Sequence, residues 1–261
     1  MDIVVTGAAG SVGREALRAL SDHDVTAVTH HEEPDVDGVV VDIEDRAAVS
    51  DAIAGHDAVV HLAANPNPGA DWDDVVGPNI EGTHNVYRAA VEADLDRVVF
   101  ASTNHVQQNH VLDGTNDVET LPDRPEAITA DDDYRPDSYY GVSKITGEAL
   151  GAYHADRDGV EVVNLRIGWL LTREELREYQ DDSEKVAQFS RAVWLSPEDC
   201  RQGIRKATTE PLTENPLSVN LVSANREGYF SVVEAKCGFG YRPEDDAADV
   251  VSETVVSADD D

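Results

Sequence analysis

Short apolar runs alternate along the chain with stretches in which apolar residues recur every three or four positions. Ile3-Val4-Val5, Val25 to Val28, Val39 to Val41, Ala58 to Leu62 and Arg97 to Ala101 read as strands, the first an apolar run that suits a buried parallel strand. Between them, Ser11 to Ser21, Asp45 to Ala54 and Gly82 to Ala93 carry helical spacing. In the second of these Ala47, Ala48, Val49, Ala52 and Ile53 fall on one face before the stop at Gly55. Strands that alternate with helices in this way predict an α/β fold, a doubly wound parallel sheet with helices on both sides.

From Thr103 to Asp133 the pattern breaks into a polar segment interrupted by prolines and closed by acids, the composition of a binding or lid element. A helix is expected from Pro136-Asp137-Ser138 to Asp158-Gly159, then a strand over Val160 to Ile167. Thr172 to Ser190 suggests irregular helices. Ser196-Pro197-Glu198-Asp199 opens a helix to about Thr208, Leu217 to Val222 is a late strand, and Tyr229 to Cys237 a late helix. The expected division is a core over 1–168, a small substrate-binding appendage over 169–243, and a loose acidic tail over 244–261.

Charge changes the picture of the medium. Asp and Glu number 53 against 20 Lys and Arg, a net charge of −33, and Lys144, Lys185, Lys206 and Lys236 are the only lysines. Such a surface repels itself in dilute buffer, whereas at about 1 M salt the Debye length falls to roughly 3 Å and the repulsion is screened. A salt-rich cytoplasm is the expected setting. No basic stripe exists to neutralise phosphates, which argues against nucleic acid or anionic membranes as partners. No long apolar segment suggests a membrane span. Cys200 and Cys237 make neither a disulfide framework nor a metal-ligand spacing, and no histidine cluster has the spacing of a catalytic metal site.

Two motifs carry chemistry. Gly7, Gly10 and Gly13 follow the first strand as G-x-x-G-x-x-G and lead into a helix, the arrangement of a Rossmann-type diphosphate cradle with Ser11 and Val12 in its first turn. Tyr140 and Lys144 lie four residues apart on one helix face, where an ammonium can lower the pKa of a phenol and make it a base for an alcohol proton. A hydroxyl to hold the substrate oxygen is available from Ser102 or Thr103, at the end of the strand where parallel sheets place their ligands.

Taken together, Thr6-Gly7-Ala8-Ala9-Gly10-Ser11-Val12-Gly13, Val59-Val60-His61-Leu62-Ala63-Ala64, Val98-Val99-Phe100-Ala101-Ser102-Thr103 and Tyr140/Lys144 resemble the extended short-chain dehydrogenase/reductases over nearly the whole chain. The resemblance implies Tyr140 as catalytic acid/base, Lys144 as pKa tuner and ribose ligand, and Thr103 as substrate orienter. It implies cofactor contacts from the glycine turn, His30, Asp42, Ile43, Leu62, Ala63, Ala64, Ala101 and Ile167, and sugar contacts from Asn65, Asn104 and His105. The usual acidic residue at the end of strand two is replaced by Thr29-His30, yet no Arg or Lys lies between Ala19 and Asp45, and Glu32 and Glu33 would repel a 2′-phosphate. NAD is therefore expected over NADP.

Ser102-Thr103-Asn104-His105-Val106, Leu165-Arg166-Ile167-Gly168 and Trp194-Leu195-Ser196 narrow the resemblance to the uronate dehydrogenase branch, which also holds glucose-6-phosphate dehydrogenases of salt-loving archaea. Trp169 stands where the uronate enzymes have a carboxylate-binding serine. The resemblance and the acidity together suggest oxidation of C1 of glucose 6-phosphate, with Arg191, or Arg173 and Lys185, meeting the phosphate. Uronate oxidation and a non-catalytic NAD sensor are the alternatives, and the resemblance suggests a homodimer, since the helices Gly82 to Ala93 and Ser138 to His154 commonly pair in that family.

Overall fold

The computed structural model describes residues 1–114 and 117–253. Its strands in chain order are β1 (Asp2–Thr6), β2 (Asp24–Thr29), β3 (Gly38–Val40), β4 (Ala58–His61), β5 (Arg97–Thr103), β6 (Glu161–Ile167), β7 (Trp169–Leu170), β8 (Trp194–Leu195) and β9 (Leu217–Leu221). Seven of them form one sheet in the order β3-β2-β1-β4-β5-β6-β9, every pair parallel, while β7 and β8 pair with each other. The strand order reverses between β1 and β4, and a crevice opens there at the carboxyl ends of the strands.

The helices are α1 (Ser11–Ala19), α2 (Arg46–Ile53), α3 (Trp72–Val75), α4 (Gly82–Glu92), α5 (Tyr139–Asp158), α6 (Arg173–Glu178), α7 (Glu184–Val193), α8 (Pro197–Thr209), α9 (Val233–Phe239) and α10 (Ala247–Ser252). Alternate residues of β1 feed opposite faces of the sheet. Ile3 and Val5 pack with Ala16, Leu20, Ile204 and Phe239 from the α1, α8 and α9 side. Val4 packs with Val49, Ile53, Val86, Tyr87 and Ala155 from the α2, α4 and α5 side. This two-sided burial is why the central strands read as unbroken apolar runs.

Local signals set the element ends. Asp45 caps α2 by accepting from the Ala47 and Ala48 N–H groups at 2.9 and 3.2 Å, and Ser138 caps α5 by accepting from Gly141 N at 3.1 Å. Between α3 and α4 the chain makes a π-helical turn over Val76–Glu81, which the apolar pattern did not signal.

Three expectations change. The late helix begins at Val233 rather than Tyr229, because Tyr229 and Phe230 are buried in extended chain beside Ile128: Ile128 N donates to Tyr229 O at 2.6 Å and Ser231 N to Ile128 O at 2.7 Å. The segment after residue 168 is no separable appendage, since β9 completes the main sheet against β6 and α8 packs on α1 and the turn after it, with Arg201 paired to Glu15 and Arg205 to Asp22. Nor is the acidic tail loose through residue 253. Asp199 accepts from Glu244 N and Asp245 N, Arg226 pairs with Asp246 and Asp249, and Arg173 and Arg177 pair with Glu253. The remainder of that expected tail, 254–261, lies outside the described residues.

Candidate active site

The glycine turn is built by close approach. Gly7 sits at φ +68°, and a Cβ there would lie 2.7 Å from Ala63 N; a Cβ on Gly13 would lie 2.2 Å from Gly7 O. Gly10 differs, for the nearest neighbour of a Cβ there would be 3.4 Å away, an ordinary contact. Gly10 is also the N-cap of α1 and no side chain caps the helix, which leaves first-turn N–H groups for an anion beside Ser11 and Val12. These features fit the pyrophosphate of a dinucleotide.

Two clefts meet at Ala64. The first, about 350 Å³, is bounded by Gly7, His30, Asp42, Ile43, Ala63 and Asn65 and suits an adenosine. The second, about 520 Å³, is bounded by Ser11, Val12, Leu62, Ala101, Thr103, Asn104, His105, Tyr140, Lys144 and Ile167. Asn65, expected to reach the sugar, stands in the adenosine half instead. Its N–H donates to Asn79 Oδ1 at 2.7 Å and its Nδ2 to Asp74 O at 3.3 Å, while Pro66 and Pro68 of the same loop line the sugar half.

Asn79 is one of the functional residues that sequence reasoning missed. Fully buried in the π-helical turn, it also donates Nδ2 to Ser143 Oγ at 2.9 Å, and Ser143 donates to Tyr140 O at 2.7 Å. The loop after β4 is thereby fastened to the helix that bears Tyr140 and Lys144. His61 fastens the other side. Thr6 Oγ1 accepts from the Leu62 and Ala63 N–H groups, so its own proton goes to His61 Nδ1 at 2.7 Å, and His61 Nε2–H reaches Thr83 Oγ1 at 3.1 Å. Burial and then nearby Lys144 pull this imidazole down to about 3, which keeps it neutral.

Ser102 and Thr103 divide their work. Ser102 Oγ donates to Glu148 Oε1 at 2.5 Å and so belongs to a buried pair in which Arg166 grips both Glu148 oxygens at 3.0 and 2.9 Å. Tyr134 OH and Ala130 O from the long loop complete that network, tying the loop to β5, β6 and α5. Thr103 remains for the cleft, where its hydroxyl donates to Asn104 Oδ1 at 3.4 Å, accepts from His105 N at 3.3 Å and lies beside the Tyr140 phenol.

The electrostatics depart from expectation. Burial pushes the Tyr140 phenol up to about 12, with the Thr103 hydrogen bond pulling the other way, and burial brings Lys144 down to about 7. Lys144 Nζ lies 4.9 Å from the Phe100 ring centroid and 5.9 Å from that of Tyr140. Desolvation therefore outweighs the expected lowering of the phenol by the ammonium.

On the sugar side, Asn104 donates to Gln108 Oε1 at 2.8 Å. His105 donates Nδ1–H to the fully buried Asp137 carboxylate at 2.7 Å, which leaves Nε2 as an acceptor in a ring set edge-on to Tyr140. Trp169, Phe189, Val193 and Val118 supply the apolar wall. The expected phosphate ligands are committed elsewhere. Arg191 does not line the cleft: it donates to Glu227 Oε2 at 3.0 Å and Gln180 Oε1 at 2.6 Å, while Lys185 pairs with Asp123 and Arg173 with Asp245. Among the described residues no group of side chains could hold a metal ion.

A dinucleotide groove that runs into a tyrosine, a lysine and a strand-end threonine marks an NAD-dependent oxidoreductase of the short-chain dehydrogenase/reductase type. The chain belongs to the NAD dependent epimerase/dehydratase family, whose pattern it matches over residues 3–197, and NAD is its cofactor. It is 57% identical to L-arabinose 1-dehydrogenase (NAD(P)(+)) of Haloferax volcanii over 95% of this chain and 98% of the relative. It is 34% identical to the NAD-dependent glucose-6-phosphate dehydrogenase of the same organism, over 96% of each. A solved variant of uronate dehydrogenase from Agrobacterium tumefaciens, complexed with NAD, superposes with a TM-score of 0.76 at 27% identity, covering 95% of this chain and 86% of that one.

Proposed function

We propose that the protein is a sugar dehydrogenase that oxidises the C1 hydroxyl of an unphosphorylated aldose, a pentose of the arabinose kind, to its lactone with NAD. The observation that carries this reading is that Arg173, Lys185 and Arg191 do not line the sugar half and instead pair with Asp245, Asp123 and Glu227, so the half lacks the expected cations for a phosphate dianion or a uronate carboxylate. What remains suits a neutral polyol: an apolar wall from Trp169 and Phe189, with Thr103, Asn104 and the free side of His105 for hydroxyls. Identity to the L-arabinose enzyme supports the same choice.

In this reading Tyr140 takes the C1 hydroxyl proton, and Thr103 holds the same oxygen in line with the phenol. NAD, held at the glycine turn from Gly7 to Gly13, would supply the acceptor for the C1 hydride. Lys144 favours the phenolate at the moment of transfer and offers its ammonium to the cofactor ribose, while Phe100 beneath it keeps water out. The acidic surface supports a salt-rich working solution, and among the described residues no helix is long and apolar enough to cross a membrane.

The test is NADH formation in about 2 M KCl, where surface repulsion is screened, with L-arabinose, glucose 6-phosphate and glucuronate in parallel. The expected result is a kcat/KM for L-arabinose at least about tenfold above the other two, a difference worth about 1.4 kcal/mol of transition-state binding. Preference for the phosphorylated or the acidic sugar overturns the reading.

A further inference from the structure

The adenosine half of the groove has no lysine or arginine among its lining residues and three carboxylates, those of Asp42, Glu44 and Asp74. A cation nevertheless extends from α1 to the segments that flank it. Arg14, the residue after Gly13, donates Nε to Ala9 O at 3.1 Å and Nη1 to Asp35 Oδ2 at 2.6 Å. Ala9 lies in the glycine turn that begins at Gly7, and Asp35 in the segment that follows His30. Gly7 and His30 both line the adenosine half, so the guanidinium bridges the two segments that form its walls.

A guanidinium at that place is suited to a phosphate, since its planar fork can grip two oxygens at once. Here the fork is spent on a carboxylate and a carbonyl. Arg14 is 35% and Asp35 66% exposed, so water reaches the pair and each partner is exchangeable. In the same segment Glu32 and Glu33 follow His30 and His31, whose rings are tilted at 32° with centroids 4.1 Å apart, and add negative charge to it.

We propose that the chain binds NAD in preference to NADP and that the Arg14–Asp35 ion pair sets this preference: Asp35 holds and neutralises a guanidinium that would otherwise meet the 2′-phosphate. The inference rests on the dinucleotide groove and not on the identity of the sugar. It predicts that the selectivity is stored in a single surface ion pair and is released by removing one charge.

Direct binding tests it without turnover. NADH and NADPH are titrated against the tryptophan fluorescence of the wild type, Asp35→Asn, Arg14→Gln and the double variant, in about 2 M KCl. Asp35→Asn is expected to lower the Kd of NADPH about fivefold, as one charge-assisted hydrogen bond from the freed guanidinium to the 2′-phosphate would do, while the Kd of NADH moves less than about twofold. The double variant is expected to bind NADPH no better than the wild type, because the freed arginine is what strengthens the binding. An unchanged NADPH affinity in Asp35→Asn overturns the proposal. So does a tighter NADPH affinity that survives in the double variant, which would assign it to general charge reduction, or a loss of NADH binding by Asp35→Asn, which would make the pair a structural brace.

Discussion

At the cofactor end of the cleft the contacts come from main chain and from neighbours in sequence: a turn that starts at Gly7, an uncapped helix end at Gly10 and the close packing of Gly13 on Gly7 O. At the sugar end they come from side chains far apart in the chain, with Thr103 from β5, His105 braced by Asp137, Tyr140 from α5, and Trp169 and Phe189 from the segment after β6. A backbone cradle tolerates almost any side chain beyond its glycines and serves one invariant ligand. A side-chain wall can be rebuilt one residue at a time, which is how relatives on one scaffold come to be named for arabinose, glucose 6-phosphate and uronate.

The contrast is broken most severely at the seam between the two ends. Tyr140→Phe removes the phenol placed beside Thr103, so kcat is expected to fall by at least about 10³-fold, while NADH titration shows an affinity within about twofold of wild type. A variant that keeps a tenth of the activity would remove Tyr140 from the reaction. Next in size is the buried pair beneath the sugar end. Glu148→Gln strands the Arg166 guanidinium, and a loss of about 3–5 kcal/mol in denaturant unfolding is expected. A loss below about 1 kcal/mol would mean that the long loop does not depend on this anchor.

Lys144 gives a pH test of the seam. Its folded pKa of about 7 lies below the ordinary 10.5, so between these values the unfolded chain holds the extra proton. The contribution is fully present above pH 10.5 and is lost as pH falls toward 7, with a slope of up to about 1.4 kcal/mol per pH unit. Unfolding midpoints of the cofactor-free enzyme at several pH values across that window should fall with acidification, and Lys144→Met should flatten the trend. An equal trend in both proteins would assign it to other groups. The smallest effect is expected at Arg191→Ala, whose ion pair with Glu227 lies outside the cleft: the KM for L-arabinose should change less than about twofold, with at most about 1 kcal/mol of stability lost. A tenfold rise in KM would return Arg191 to the sugar site.

What was legible in the sequence follows the same division. The parallel sheet, the glycine turn and the Tyr140/Lys144 spacing could be read because each is written in residues close together, where period and spacing determine geometry. Arg14–Asp35, Asn79–Ser143 and Glu148–Arg166 were not, since each joins side chains 21, 64 and 18 positions apart, brought together only by the completed sheet. Composition misled in two places. Acidity made residues 244–253 look loose, but arginines from α6 and residue 226 hold them. Arg191 looked free for a phosphate because its partner, Glu227, lies across a turn that spacing does not reveal. The Tyr140 phenol was expected low because a lysine is near, and the structure shows that burial acts more strongly than that neighbour.

The central claim is that carbon 1 of an unphosphorylated aldose is placed against Tyr140 and oxidised. It is tested most directly by following L-arabinose labelled with ¹³C at C1 by NMR in the presence of the enzyme and NAD. The account predicts that the anomeric signals disappear in step with NADH formation and reappear in the lactone and then the carboxylate region. Anomeric signals that persist while NADH accumulates, or that remain with no NADH formed, would contradict it.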